Sequence, residues 1–127
     1  MKTNENPVGV HYGKDGTPDG ILVQTLDDSF IINLHDAENG KGMTWDYAIE
    51  KYEDVMPDKQ RALFICAYME EINKLLKEVG GDRLDGWYWT KSEYSNYNAW
   101  FFNGGNGCVY YNYKCSSLSV RPVLASA

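Results

Sequence analysis

Trp87-Tyr88-Trp89, Ala99-Trp100-Phe101-Phe102, Val109-Tyr110-Tyr111 and Val120-Arg121-Pro122-Val123-Leu124 are the stretches on which the fold turns. Each is a short run of aromatic and β-branched residues, which suit a pleated and half-buried surface, and together they predict four short strands. Between them lie Tyr94 to Asn98, Asn103-Gly104-Gly105-Asn106-Gly107, and Lys114 to Ser119, all of loop composition. From Tyr94 to Val120 the only charged side chain is Lys114.

Upstream of Gly86 the texture differs. Ile21-Leu22-Val23-Gln24-Thr25-Leu26 and Phe30-Ile31-Ile32-Asn33-Leu34 flank Asp27-Asp28-Ser29 and read as an antiparallel hairpin. Gly13-Lys14-Asp15-Gly16 and Pro18-Asp19-Gly20 read as turns, and Val8-Gly9-Val10 as the start of a preceding strand. Thr44 is placed to cap a short helix carrying Trp45, Ala48, Ile49 and Tyr52 on one side. Pro57 suits the first turn of a longer helix. That helix repeats Phe64, Ala67, Tyr68, Ile72, Leu75, Leu76 and Val79 at helical spacing, a core stripe, before Gly80-Gly81 stops it. Hairpin, two helices and then short strands make an α+β pattern. At 127 residues the chain reads as one domain, with 1–86 as scaffold and 87–127 as a strand-rich region.

Composition narrows the function. A formal charge of −6 argues against nucleic-acid binding, which needs a basic face, and against attachment to anionic membranes. No segment is apolar for long enough to insert into a membrane. Met1 to Pro7 lack the apolar core of a secretory leader, which points to a mature chain or another export route. Of the three cysteines, Cys108 and Cys115 are a possible disulfide pair in an oxidising compartment; otherwise all three are free thiols, with Cys66 buried in a helix.

No catalytic or metal-binding signature emerges. His11 and His35 stand alone, without the spacing of a metal site. Asn103 to Gly107 lack the Lys-Ser/Thr of a phosphate loop and read as a hairpin turn. Asp27-Asp28 and Glu70-Glu71 suit solvated positions, and Asp15 and Asp19 lack calcium-loop spacing. No cofactor is expected.

Tyr94 to Ser119 points instead to binding. Tyr94, Tyr97, Tyr110, Tyr111 and Tyr113 crowd into it among Asn, Ser and Gly. Tyrosine offers a large, stiff, amphipathic contact, while Ser, Gly and Asn supply adaptable hydrogen bonding. Trp87, Trp89, Trp100 and Phe102 are expected to pack inside. If Val109 faces the core, pleat alternation sends Tyr110 and Asn112 to the other face. The expectation is one exposed patch of Asn96, Tyr97, Tyr110, Tyr111, Asn112 and Tyr113, supported by Trp89, Trp100 and Val109.

Trp87-Tyr88-Trp89-Thr90-Lys91-Ser92-Glu93, then Asn98-Ala99-Trp100, then Asn106-Gly107-Cys108-Val109, and last Val120-Arg121-Pro122-Val123 resemble the variable proteins of diversity-generating retroelements, a bacterial and phage family. Their pattern is roughly Tyr-Trp-Ser/Thr-Ser-Thr/Ser-Glu, Ala-Trp, Asn-Gly-x-Val and a terminal Val-Arg-Pro-Val. Lys91 departs from it, and upstream only the order of elements fits. The resemblance implies a C-type-lectin-like fold: an N-terminal β-hairpin, two helices and a small twisted antiparallel sheet carrying a C-terminal variable region. It also implies adenine-directed diversification, which turns Asn codons into Tyr, Ser, Cys, Gly or Phe codons.

Carried onto this chain, the variable, ligand-binding positions are Ser95, Asn96, Tyr97, Gly105, Cys108, Tyr110, Tyr111, Asn112, Tyr113, Cys115, Ser116, Ser117, Leu118 and Ser119. Trp89, Trp100, Arg121 and Pro122 are then scaffold, and Cys108 and Cys115 chance products of diversification. The Glu-Pro-Asn, Gln-Pro-Asp and Trp-Asn-Asp motifs of calcium-dependent sugar lectins are missing, so the fold name does not establish sugar binding. The implied function is a calcium-independent, non-catalytic module on a virion or cell surface that binds a protein or glycan receptor. The alternatives are a self-assembling homo-oligomeric subunit and, through Cys108 and Cys115, an oxidase like the longer formylglycine-generating enzymes.

Overall fold

The computed structural model describes residues 6–126, so the leader reading, which rests mainly on residues 1–5, falls largely outside the described residues. Three α-helices and two small antiparallel sheets make up an α+β fold among them. Strands β1 (Val8–Tyr12), β2 (Pro18–Gln24) and β3 (Ser29–Asn33) open the chain. Helices α1 (Trp45–Tyr52), α2 (Lys59–Ala67) and α3 (Met69–Val79) follow. Strands β4 (Trp87–Glu93), β5 (Asn98–Asn103), β6 (Cys108–Tyr113) and β7 (Val123–Ala125) complete it. No helix among the described residues is long and apolar enough to cross a membrane.

The first sheet has the order β1-β2-β3-β7 and the second β4-β5-β6. The expected hairpin is β2–β3, with Val23 opposite Phe30 and Ile21 opposite Ile32. Pro18 to Gly20, expected as a turn, instead begin β2, because the reversal is completed earlier. There the Gly13 amide donates to the Thr17 carbonyl, and the Thr17 hydroxyl donates to Asp15. Pro18 is tolerated because it is the first residue of the strand.

The last strand corrects the expectation of one C-terminal sheet. After β6 the chain passes Met43, where Leu118 forms an isolated bridge, and then Tyr88, bridged by Ser119. It then leaves the second sheet, and β7 pairs with β3. Arg121 makes that crossing specific. Almost fully buried, it donates to the carbonyls of Asn33 and Leu34 at 2.7 and 2.9 Å, to that of Asp82, and to the Asp36 carboxylate at 2.8 Å. Burial raises the Asp36 pKa above the ordinary carboxylate value, and the nearby Arg121 cation offsets only part of the rise.

Thr44 caps α1 as expected, its hydroxyl accepting from the Tyr47 amide. The longer helix differs in two ways. It begins after Pro57: Asp58 is the cap, its carboxylate accepting from the Arg61 amide at 2.8 Å, while the Pro57 carbonyl accepts from Lys91. It also breaks at Tyr68, whose backbone leaves the helical region. The break re-aims the apolar stripe, so Ala67 is exposed, Leu75 is half-buried, and Ala62, Ile65, Met69, Ile72 and Leu76 form the core. With the kink, α2 packs on β4, β5 and β6 while α3 packs on β1 and β2. Gly80, at φ 79°, ends α3 in the left-handed conformation that favours glycine.

Two apolar clusters result. The larger joins Val8, Ile21, Val23, Phe30 and Ile32 of the first sheet to the helices and to Tyr88 and Phe102. The smaller packs Trp89, Ala99 and Phe101 against Met43, Trp45, Ala48, Leu118 and Val120. Register places Phe102 with Tyr88 on one face of the second sheet and Phe101 with Trp89 on the other. Both faces of the β4–β5 pair are therefore covered at Tyr88, Trp89, Phe101 and Phe102, and β6 is left at the edge.

Candidate functional site

Strand β6 pairs with β5 alone, Phe102 opposite Val109, Phe101 opposite Tyr110, Trp100 opposite Tyr111 and Asn98 opposite Tyr113. Because consecutive side chains of a strand point to opposite faces, Tyr110 lies on one face and Tyr111 and Tyr113 on the other, so its tyrosines do not form the single patch expected from sequence. They wrap around an edge in three groups.

On the face that carries Val109, Tyr111 stacks on Tyr94 with centroids 3.8 Å apart and planes 2° from parallel. Both rings meet Trp100 edge-on, at 5.5 and 5.3 Å. The Lys59 ammonium lies 3.8 Å from the centre of the Trp100 ring. The Tyr94 hydroxyl alongside it holds the Tyr111 phenol above the ordinary tyrosine pKa. On the opposite face Tyr110 leans on Phe101 at 5.7 Å, and Phe101 stacks on Trp87 at 5.1 Å. The Asn106 amide donates to the Tyr110 hydroxyl at 3.1 Å.

The third group surrounds a groove of about 350 Å³ at the far end of β6, lined by Thr44, Asp46, Asn96, Tyr97, Tyr113, Lys114 and Cys115. Tyr97 and Tyr113 are the most exposed aromatic residues described, at 77% and 63%. A larger concavity of about 430 Å³ lies across the molecule between Cys66, Glu70, Arg83 and the 104–107 turn, but no aromatic ring lines it.

The remaining expected positions divide by role. Asn96, Gly105, Cys108, Cys115 and Ser117 are exposed. Ser95 is exposed yet structural: its hydroxyl accepts from the amides of Tyr97 and Asn98 and holds the β4–β5 turn. Asn112 and Ser116 are half-buried, and the Asn112 carbonyl accepts from the Tyr113 amide at 2.7 Å and from Ser116. Leu118 does not reach the surface; it is buried in the smaller cluster, exchanging backbone hydrogen bonds with Met43. Ser119 donates its hydroxyl to the Gly40 carbonyl, and its backbone bonds to Trp87 and Trp89. The stretch expected to vary thus runs into the core before its expected end.

Of the expected supports, Trp89 is fully buried and donates its indole N–H to the Met43 carbonyl at 2.8 Å. Trp87, expected inside, is exposed. Residues that sequence reasoning passed over are Lys59, Asn106, Thr44 and Asp46. Only the helix packing brings Lys59 and Asp46 to this surface, and no local pattern signals it. Gly104 fixes the base of the β5–β6 turn, since a Cβ there would lie 2.4 Å from the Leu84 carbonyl oxygen.

His11 and His35 each bond to one carboxylate, Asp19 at 2.7 Å and Asp82 at 3.0 Å. Cys66 is only half-buried, but burial and the neighbouring Cys108 push its pKa up to about 12, which suppresses the reactive thiolate. Of Cys108 and Cys115, expected as a possible pair, the first opens β6 and the second lies two residues past its end, and both are free. At about 3.3 Å per strand residue they are more than about 15 Å apart, too far for a disulfide. Among the described residues no group of three or more His, Cys, Asp and Glu is placed to hold a metal.

No known protein family matches the sequence, and no characterised protein matches it.

Proposed function

We propose that the chain is a non-catalytic binding module with a C-type-lectin-like fold, and that the Tyr/Asn/Ser surface around β6 is its ligand-binding site. The observation that carries this reading is the placement of Tyr94, Tyr97, Tyr110, Tyr111 and Tyr113, all exposed on a segment whose neighbours form a rigid core. A cluster of exposed aromatic rings of this size on a folded domain calls for a partner. Preset strands and turns hold the rings, so docking costs little further ordering. The resemblance to retroelement variable proteins supports the same reading and makes the partner a receptor, protein or glycan, met at a virion or cell surface.

The test is binding to an array of bacterial surface proteins and glycans, repeated with Tyr97→Ala and Tyr111→Ala. At least one interaction is expected to be lost in these variants while the melting temperature holds. Binding indifferent to every surface tyrosine overturns the reading. In the neighbouring DNA, a near-repeat of the codons for Tyr94 to Ser119, differing only at adenines, is the expected source of the diversity.

A second reading, a self-assembling subunit, draws on one observation. Strand β6 is a sheet edge with neither charge nor proline, the devices that usually block edge-to-edge pairing. A mass that rises with concentration, and is abolished by Tyr111→Pro, distinguishes it.

A further inference from the structure

We infer that the groove between Tyr97 and Tyr113 receives a cationic side chain, the guanidinium of an arginine or the ammonium of a lysine, from a partner protein. This rests on the reading of the β6 surface as a binding site and specifies its chemistry. The groove is assembled by backbone contacts. The Trp45 amide donates to the Lys114 carbonyl at 2.9 Å, setting the first turn of α1 against the end of β6. The Lys114 amide donates to the Tyr97 carbonyl at 2.8 Å, joining the β4–β5 turn to the same point. Asp46, in the first turn of α1, therefore faces the same concavity as Tyr97, Tyr113 and Asn96.

Charge decides what the groove takes. Lys114 lines it, but its ammonium is committed elsewhere, paired with Glu93 and 4.6 Å from the centre of the Trp45 ring. Asp46 is exposed and has no hydrogen bond or ion pair among the described residues, leaving the groove with one uncompensated negative charge. The start of a helix carries only about half a positive charge, so the carboxylate dominates. The faces of the two exposed tyrosine rings attract cations as well. The chain uses that contact internally, with Lys59 over Trp100 and Lys114 over Trp45. A volume of about 350 Å³ is ample for one long side chain.

The test is an NMR titration of the intact chain with N-acetyl-arginine methylamide, with the neutral isostere N-acetyl-citrulline methylamide, and with inorganic phosphate. The arginine probe is expected to shift the amides of Asp46, Asn96, Tyr97, Tyr113 and Cys115, and to bind roughly tenfold more tightly than citrulline, as loss of one charged contact implies. Asp46→Asn should erase that preference with no more than the small loss of melting temperature expected from removing one charge at a helix start. High salt should weaken the arginine probe alone. Equal binding of arginine and citrulline, shifts confined to another surface, or a preference for phosphate would overturn the inference. If that happens while array binding still depends on Tyr111, the inference fails alone. If array binding ignores every surface tyrosine, the underlying reading fails too.

Discussion

The two sheets use similar residues to opposite ends. In the first, the side chains of Ile21, Val23, Phe30 and Ile32 are completely buried, and Arg121 ties the last crossing into place. In the second, the centres of β4 and β5 are covered on both faces, but β6 leaves Tyr110, Tyr111 and Tyr113 outside. Burying a large apolar side chain stabilises a fold by about 1.5–3 kcal/mol, and β6 forgoes much of that at three positions. A sequence under selection for stability alone has no reason to place tyrosines there. The first sheet thus spends its large side chains on the core, while the edge of the second keeps three of its own at the surface, where the proposed binding site lies.

That division is sharpened most by breaking the Arg121 lock. Arg121→Ala leaves Asp36 half-buried with no cation, and several carbonyls without their donor. Truncating one member of a buried ion pair costs about 3–5 kcal/mol, so urea denaturation should show a loss of that size. A loss below about 1 kcal/mol, the range of exposed pairs, would mean that the crossing is held by apolar packing instead. Next in size is Leu76→Ala on α3, where the side chain is fully buried against the first sheet. The expected cost is about 2–5 kcal/mol, with the higher values if the cavity fails to collapse.

A smaller effect comes from acid. Arg61 donates to Asp28 at 2.8 and 3.0 Å, linking the β2–β3 turn to α2. That hydrogen bond above all lowers the Asp28 pKa. Its contribution is therefore fully present above the unfolded value of about 4 and fades as the pH falls through the lower folded value. Asp36 has the opposite sign. Its folded pKa is raised, so its contribution is lost as the pH climbs from the unfolded value through the folded one. Asp28→Asn should flatten the acid side of a stability profile followed by thermal melts. An unchanged acid slope would show that the ion pair does not link turn to helix.

How far the sequence could be read follows the same division. The β2–β3 hairpin, the Thr44 cap, the Gly80 stop and the strand runs were legible because each rests on local chemistry: alternation, a capping oxygen, a left-handed glycine. The break at Tyr68 was not, because only the demand of two sheets on consecutive helices creates it. The pairing of β7 with β3 was hidden for a similar reason, being fixed by Arg121 across some 85 residues of chain. For the proposed site, composition marked a segment whose five tyrosines are all exposed. Its division into three groups required the register of β5 with β6, and Leu118 could be separated from its serine neighbours only by its bridge to Met43.

The smallest expected effect on stability is the one that bears most on function. Tyr97 lies at the tip of the β4–β5 turn, 77% exposed, and its described hydrogen bonds are those of its backbone: the amide to Ser95 and the carbonyl to Lys114. Removing its ring touches neither. Tyr97→Ala should therefore stay within about 0.5 kcal/mol of the parent in urea denaturation, as substitutions on open surface do. If the ring is instead an anchor for a partner, the same change should weaken binding by about 2 kcal/mol or more, since interface energy concentrates in a few aromatic residues. Tyr113 makes the useful control, because it faces the same groove from β6. Loss of stability in Tyr97→Ala would place the turn within the cooperative core and erase the contrast between the sheets. Stability retained, with partner affinity unmoved by both substitutions, would shift the binding site toward Tyr94, Trp100 and Tyr111.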